Sequence, residues 1–155
     1  MGVVGLHHVR RDNHGDFDLT TEASSTLRML ESIDIYWKTV KDLGIADQTI
    51  YATLSVFGRD AKRGAKGGRG HGGDFCSGLV LGDGIQGGVI GGLDTSGSHA
   101  KAAGINTTDG SASNPDVAPE DTLDTYYKTL MRLVGVPSDR REVRLPEARE
   151  LLSLG

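Results

Sequence analysis

Asp12 and His14 place a carboxylate and an imidazole two residues apart, on either side of Asn13. A third candidate donor, His71, comes much later in the chain and is flanked by glycines. Together they make a mixed oxygen and nitrogen donor set of the kind that suits zinc, manganese or iron. The second chemical feature is cationic. Arg59, Lys62, Arg63, Lys66 and Arg69 crowd a glycine-loaded segment that holds a single acid, Asp60. Glycine exposes backbone N–H groups, and arginine or lysine adds charge, so such a segment can cradle a small anion. Each feature also has a plain reading: ordinary polar loop residues in one case, a loop kept soluble by its charges in the other.

The elements around these residues decide whether they can meet. Gly2 to Val9 reads as a short buried strand, and the polar Arg10–Asp18 segment follows it. Thr20 or Thr21 is the expected cap of a helix running to about Leu43. Leu30, Ile33, Trp37 and Val40 recur there at helical period, and Gly44 closes it. Thr49–Phe57 is β-branched and aromatic, a strand stopped by Gly58, and a second apolar run covers Leu79–Leu81. A helix between two strands is the βαβ pattern, so the expected fold is α/β, a mainly parallel sheet flanked by helices. Ligands gather at the carboxyl ends of strands in such sheets. The Asp12/His14 segment and the Gly58–Gly73 loop both follow such ends, and are expected to converge.

Beyond Gly92 the pattern thins. Asp94–Val117 has no periodicity and reads as an irregular excursion. Pro119, Glu120 and Asp121 then open a second helix, with Leu123, Tyr127, Leu130, Met131 and Val134 as its inner face and Gly135 as its stop. Pro146 is the expected start of a short last helix carrying Leu151 and Leu152. Two GxGxxG matches, Gly68–Gly73 and Gly82–Gly87, lack the strand-then-helix context of a dinucleotide site and read as turns.

At 155 residues the chain fits one domain, 1–155. With 37% hydrophobic residues and 23 glycines its core is thin, which favours a second copy or a partner chain over an open sheet edge. A net charge of −4, with no aromatic residues between the loop cations, argues against nucleic acid. Cys76 is the single cysteine, so an intrachain disulfide and a cysteine zinc site are excluded. The first residues lack the basic-then-apolar pattern of a signal peptide, and no run reaches membrane-spanning length. From these residues the expected location is cytoplasmic, with no membrane partner.

Read in order, several short pieces resemble a known family. They are Asp12 with His14, Asp42-Leu43-Gly44, Ser55-Val56-Phe57-Gly58-Arg59, His71-Gly72, Leu81-Gly82 and Gly87-Gly88-Val89-Ile90-Gly91. Pro119-Glu120-Asp121, a Tyr/Leu helix and Gly135-Val136 complete the set. Together they are similar to the carboxyl-terminal part of the domain-of-unknown-function family 1501 (DUF1501). Those are sulfatase-like bacterial proteins of the alkaline phosphatase superfamily, many of them exported. The resemblance implies part of an alkaline-phosphatase/sulfatase-like fold, and a divalent metal centre that hydrolyses small phosphate or sulfate esters. It implies Asp12, His14 and His71 as metal ligands, Arg59 as an anion contact, and an exported or periplasmic setting. Catalytic residues stay unassigned, because the superfamily's nucleophile belongs to the family's amino-terminal half. The sequence departs from the pattern where the usual Ser-Glu-Phe-Gly-Arg carries Val56, and where the usual Asp-His-Gly carries Gly70. Asp60 and Asp74 are the nearby acids that could replace the lost carboxylates. The alternatives are a non-catalytic structural or interaction domain, and an anion-binding module built on Arg59, Lys62, Arg63 and Arg69.

Overall fold

The structure is a computed structural model that describes residues 14–53, 58–60, 64, 67–72, 74–97 and 99–154. The chain divides into two compact units, residues 1–83 and 84–155. The strand expected over Gly2–Val9 lies outside the described residues.

In the first unit the apolar stripe forms helix α1, Thr20–Asp42. Ile33 and Val40 are buried on it, Tyr36 and Trp37 half-buried, while Leu30 at the start of the stripe is exposed. Gly44, at φ 68°, takes the left-handed conformation that stops the helix. Thr20 and Thr21 are helical residues rather than caps. The amides of this first turn are satisfied by upstream carboxylates: Asp16 accepts from Thr21 N–H at 3.1 Å and from Glu22 N–H at 2.6 Å, and Asp18 from Thr20 N–H at 3.2 Å.

A 3-10 turn at Ala46–Gln48 leads into strand β1, Ile50–Ala52. Strands β2 (Gly58–Arg59), β3 (His71–Gly72) and β4 (Val80–Gly82) follow. The mainly parallel sheet does not form. β1 pairs antiparallel with β4, Ile50 opposite Gly82 and Ala52 opposite Val80, and β2 pairs antiparallel with β3. A parallel partner needs a crossover that carries the chain to the far end of the sheet before it returns. Here the segment between β1 and β4 folds back on itself instead. Thr53 and Leu79 close its neck, Thr53 N–H donating to the Leu79 carbonyl at 2.9 Å and Leu79 N–H to Thr53 Oγ1 at 2.7 Å. Tyr51 is buried with its ring 5.5 Å from that of Tyr36. Burial, with the Tyr36 phenol beside it, pushes the Tyr51 phenol up from its ordinary value.

The second unit has little regular sheet. Strands β5 (Leu93–Asp94) and β6 (Lys101–Ala102) pair antiparallel, and single bridges join Gly91 to Ser111 and Ile105 to Val117. The rest of the excursion is held by short side chains. Asp116 accepts from both the backbone N–H and the hydroxyl of Thr107, at 2.7 and 2.8 Å, and from Arg149 at 2.7 Å. Pro119–Asp121 form a 3-10 turn that runs into helix α2, Thr122–Leu133, as the Pro and two acids predict. Helix α3, Ser138–Arg144, comes before Pro146, and the last turn is a 3-10 turn at Leu152–Leu154.

The most deeply buried face of α2 is not its apolar stripe, of which Tyr127, Leu130 and Met131 are half-buried. Thr125, Lys128 and Thr129 are buried, whereas Leu123 and Val134 are exposed. The cause is the returning tail, whose backbone groups need partners. Thr129 Oγ1 accepts from Leu151 N–H at 2.9 Å and donates to the Thr125 carbonyl at 2.7 Å. Lys128 donates to the Ala148 carbonyl at 2.7 Å and to Glu142 at 2.9 Å, and Arg132 to the Leu151 carbonyl at 2.7 Å. Leu151 and Leu154, once delivered there, are buried. No helix among the described residues is long and apolar enough to cross a membrane.

Two expectations follow for this unit. Thr129→Val keeps the shape but leaves the Leu151 amide buried without its acceptor, a loss of about 1–3 kcal/mol in urea unfolding. The Thr107 hydrogen bonds, backbone first, hold the Asp116 carboxyl below its ordinary value, with Arg149 adding to them. A lowered folded value contributes stability that is complete above the unfolded value of about 3.9 and is lost as pH falls through the folded one. The stability difference between wild type and Asp116→Asn is therefore constant near neutrality and shrinks below about pH 4.

Candidate functional site

His14 lies half-buried in the turn before α1, and His71 lies exposed on β3. Their rings are 4.6 Å apart, centroid to centroid, tilted by 50°. The two imidazoles singled out from sequence do converge. Carboxyl ends of parallel strands are not the reason. The Gly68 N–H donates to the His14 carbonyl at 3.0 Å, which ties the turn before α1 to the glycine-rich loop. The β2–β3 pairing then sets Arg59 opposite His71, and Asp60 N–H donates to the Gly70 carbonyl at 3.0 Å.

Asp60, one of the two acids noted as replacements, borders this corner. A Cβ at position 70 would stand 2.8 Å from Asp60 Oδ2 and 3.9 Å from His14 Cε1. The glycine there leaves a gap that the carboxylate and the imidazole approach from two sides. Asp74, the other acid, is exposed. Asp12, Lys62, Arg63 and Lys66 lie outside the described residues, as do His7 and His8. His99 is exposed in the second unit.

Arg59 and Arg69 differ in what they touch. Arg59 Nη1 donates to the Arg69 carbonyl at 3.3 Å. Arg69 clasps Glu22 in a two-point ion pair, Nε to Oε2 at 3.1 Å and Nη2 to Oε1. Neither Glu22 nor Asp16 stands out in the sequence as a site residue. Glu22 reads there as an ordinary first-turn acid, and no local spacing signals a partner 47 residues away.

As a metal site, the corner is tested by its donors. Two imidazole nitrogens suit a borderline divalent ion such as zinc. Among the described residues no set of three His, Cys, Asp or Glu side chains is arranged to hold one. The donor types fit; a third donor would have to come from a shift of Asp60 or from Asp12. In the second unit a cleft of about 440 Å³ is lined by Lys128, Glu142, Arg149 and Glu150. Its cations are already engaged, Lys128 with Glu142 and Arg149 with Asp116.

Its helices and small antiparallel sheets make this a mixed α/β protein. The chain belongs to the family described as "Protein of unknown function (DUF1501)", whose pattern it matches over residues 1–144. No curated protein and no solved structure matches it.

The corner depends on how closely β2 approaches the segment after β3. At Gly58 any side chain would drive into the backbone carbonyl of Phe75. Gly58→Ala is therefore expected to destabilise the first unit by about 3 kcal/mol. The cross-ring signal between His14 and His71 should disappear from its proton NMR spectrum.

Proposed function

We propose that this chain is a sulfatase/alkaline-phosphatase-like domain, a divalent-metal-dependent hydrolase of small phosphate or sulfate esters. His14 and His71, with Asp12, are its metal ligands. The observation that supports this reading is the 4.6 Å approach of the two imidazoles, from segments far apart in sequence. Membership of the DUF1501 family agrees with the resemblance from which the ligand set was taken. A divalent ion bound there supplies Lewis-acid polarisation of an ester oxygen. The chain's own contribution is to bring the two imidazole rings together and to set Arg59 opposite His71, with Asp60 next in the chain.

A second reading is a non-catalytic domain that kept the fold while its site lost acids. It draws on Val56 and Gly70, which stand where the family pattern has carboxylates, and on the missing third donor among the described residues. Fewer carboxylates mean less negative charge to hold a cation.

Metal analysis separates the two. On the hydrolase reading, purified protein retains zinc or manganese after dialysis and turns over para-nitrophenyl phosphate or sulfate. His14→Ala and His71→Ala each lower metal affinity by about tenfold or more. Wild-type protein that takes up neither ion sinks the hydrolase reading, and uptake without turnover of either ester favours the second.

A further inference from the structure

We propose that the Glu22–Arg69 ion pair is the latch that sets His14 against His71, so that both members are positioning residues of the two-histidine corner. In its metal-affinity arm the inference rests on the hydrolase reading above; in its geometric arm it does not.

The links form a closed circuit. Asp16, two residues after His14, accepts from the Glu22 amide at 2.6 Å, which fixes the start of α1 relative to the His14 turn. Glu22 then holds Arg69 at two points. Arg69 is two residues before His71 and leads, through Gly70, into β3. The Gly68 amide returns to the His14 carbonyl at 3.0 Å and closes the circuit.

Beside the ion pair and the Phe17 side chain that lies against Gly67, the described contacts between the two segments include that last hydrogen bond. It is neutral, and it sits among Gly67, Gly68, Gly70 and Gly72, where the backbone has the most freedom to lose. A two-point guanidinium–carboxylate bond is stronger and fixes orientation as well as distance. The pair is also sheltered, with 30% and 18% of its Arg69 and Glu22 side chains exposed, so water and salt screen it less than a surface pair. The same geometry takes Arg69 out of the anion-binding set suggested by composition. Its guanidinium is occupied by a carboxylate of the chain itself.

The test begins in metal-free protein, with histidine-labelled samples and the nuclear Overhauser effect between the His14 and His71 rings. Glu22→Ala and Arg69→Ala are each expected to abolish that effect. The exchanged pair, Glu22→Arg with Arg69→Glu, is expected to restore it, and the helical circular dichroism should stay unchanged throughout. Zinc affinity, from competition with a chromophoric chelator, should fall about tenfold to a hundredfold in the single variants and recover in the exchanged pair. A ring-to-ring effect that persists in both single variants overturns the latch. If the effect vanishes in the single variants while the wild type takes up no zinc, the latch stands and the metal reading is rejected. If Arg69→Ala also loses helical signal, Glu22→Ala decides, because alanine favours the helix in which it sits.

Discussion

In a chain rich in glycine, whose described strands are only two or three residues long, backbone polar groups need turn carbonyls and short side chains as partners. Every buried N–H and C=O carries a penalty if left unpaired. Pairing in the described strands runs to two or three residues at a time, and loop amides are met by turn carbonyls and by side chains. Asp16, Thr53, Asn106, Asp116 and Thr129 take up that work, each accepting from a backbone amide. Among the described residues these polar fastenings accompany buried apolar side chains such as Ile33 and Val40 in the first unit and Val117 and Leu151 in the second.

That constraint explains where the chemistry ends up. In a parallel α/β sheet, strand ends alone would carry loops to a common edge. Here a turn and a loop are tied to each other directly, by the Gly68 amide and by the Arg69–Glu22 pair. Two imidazoles meet as a by-product of those ties. Among the described residues their neighbours include Arg59, paired opposite His71, and the carboxylate of Asp60 near Gly70.

The second unit follows the same rule with a different result. Its tail could have added leucines to the apolar stripe of α2. Instead its amides and carbonyls are met by Thr129, Lys128 and Arg132, so Thr125, Lys128 and Thr129 are buried more deeply than the half-buried Tyr127, Leu130 and Met131. Thr125 lies fully buried there, its hydroxyl oxygen without a hydrogen-bond partner among the described residues. An apolar moment identifies a helix, but the face that is covered depends on what arrives to cover it.

Elements whose causes are local could be read from the chain alone: α1 with Gly44 behind it, the Pro119 start of α2, the turn at Asp83–Gly84, and membership of the DUF1501 family. Periodicity, proline's fixed φ and glycine's left-handed conformation act within a few residues, so they are legible in order along the chain. Strand direction, the most buried side of α2, the meeting of the His14 and His71 rings and the Glu22–Arg69 pair emerged only in three dimensions. Each depends on which distant backbone group or charge arrives opposite, and a residue's type does not encode the identity of a partner 47 positions away.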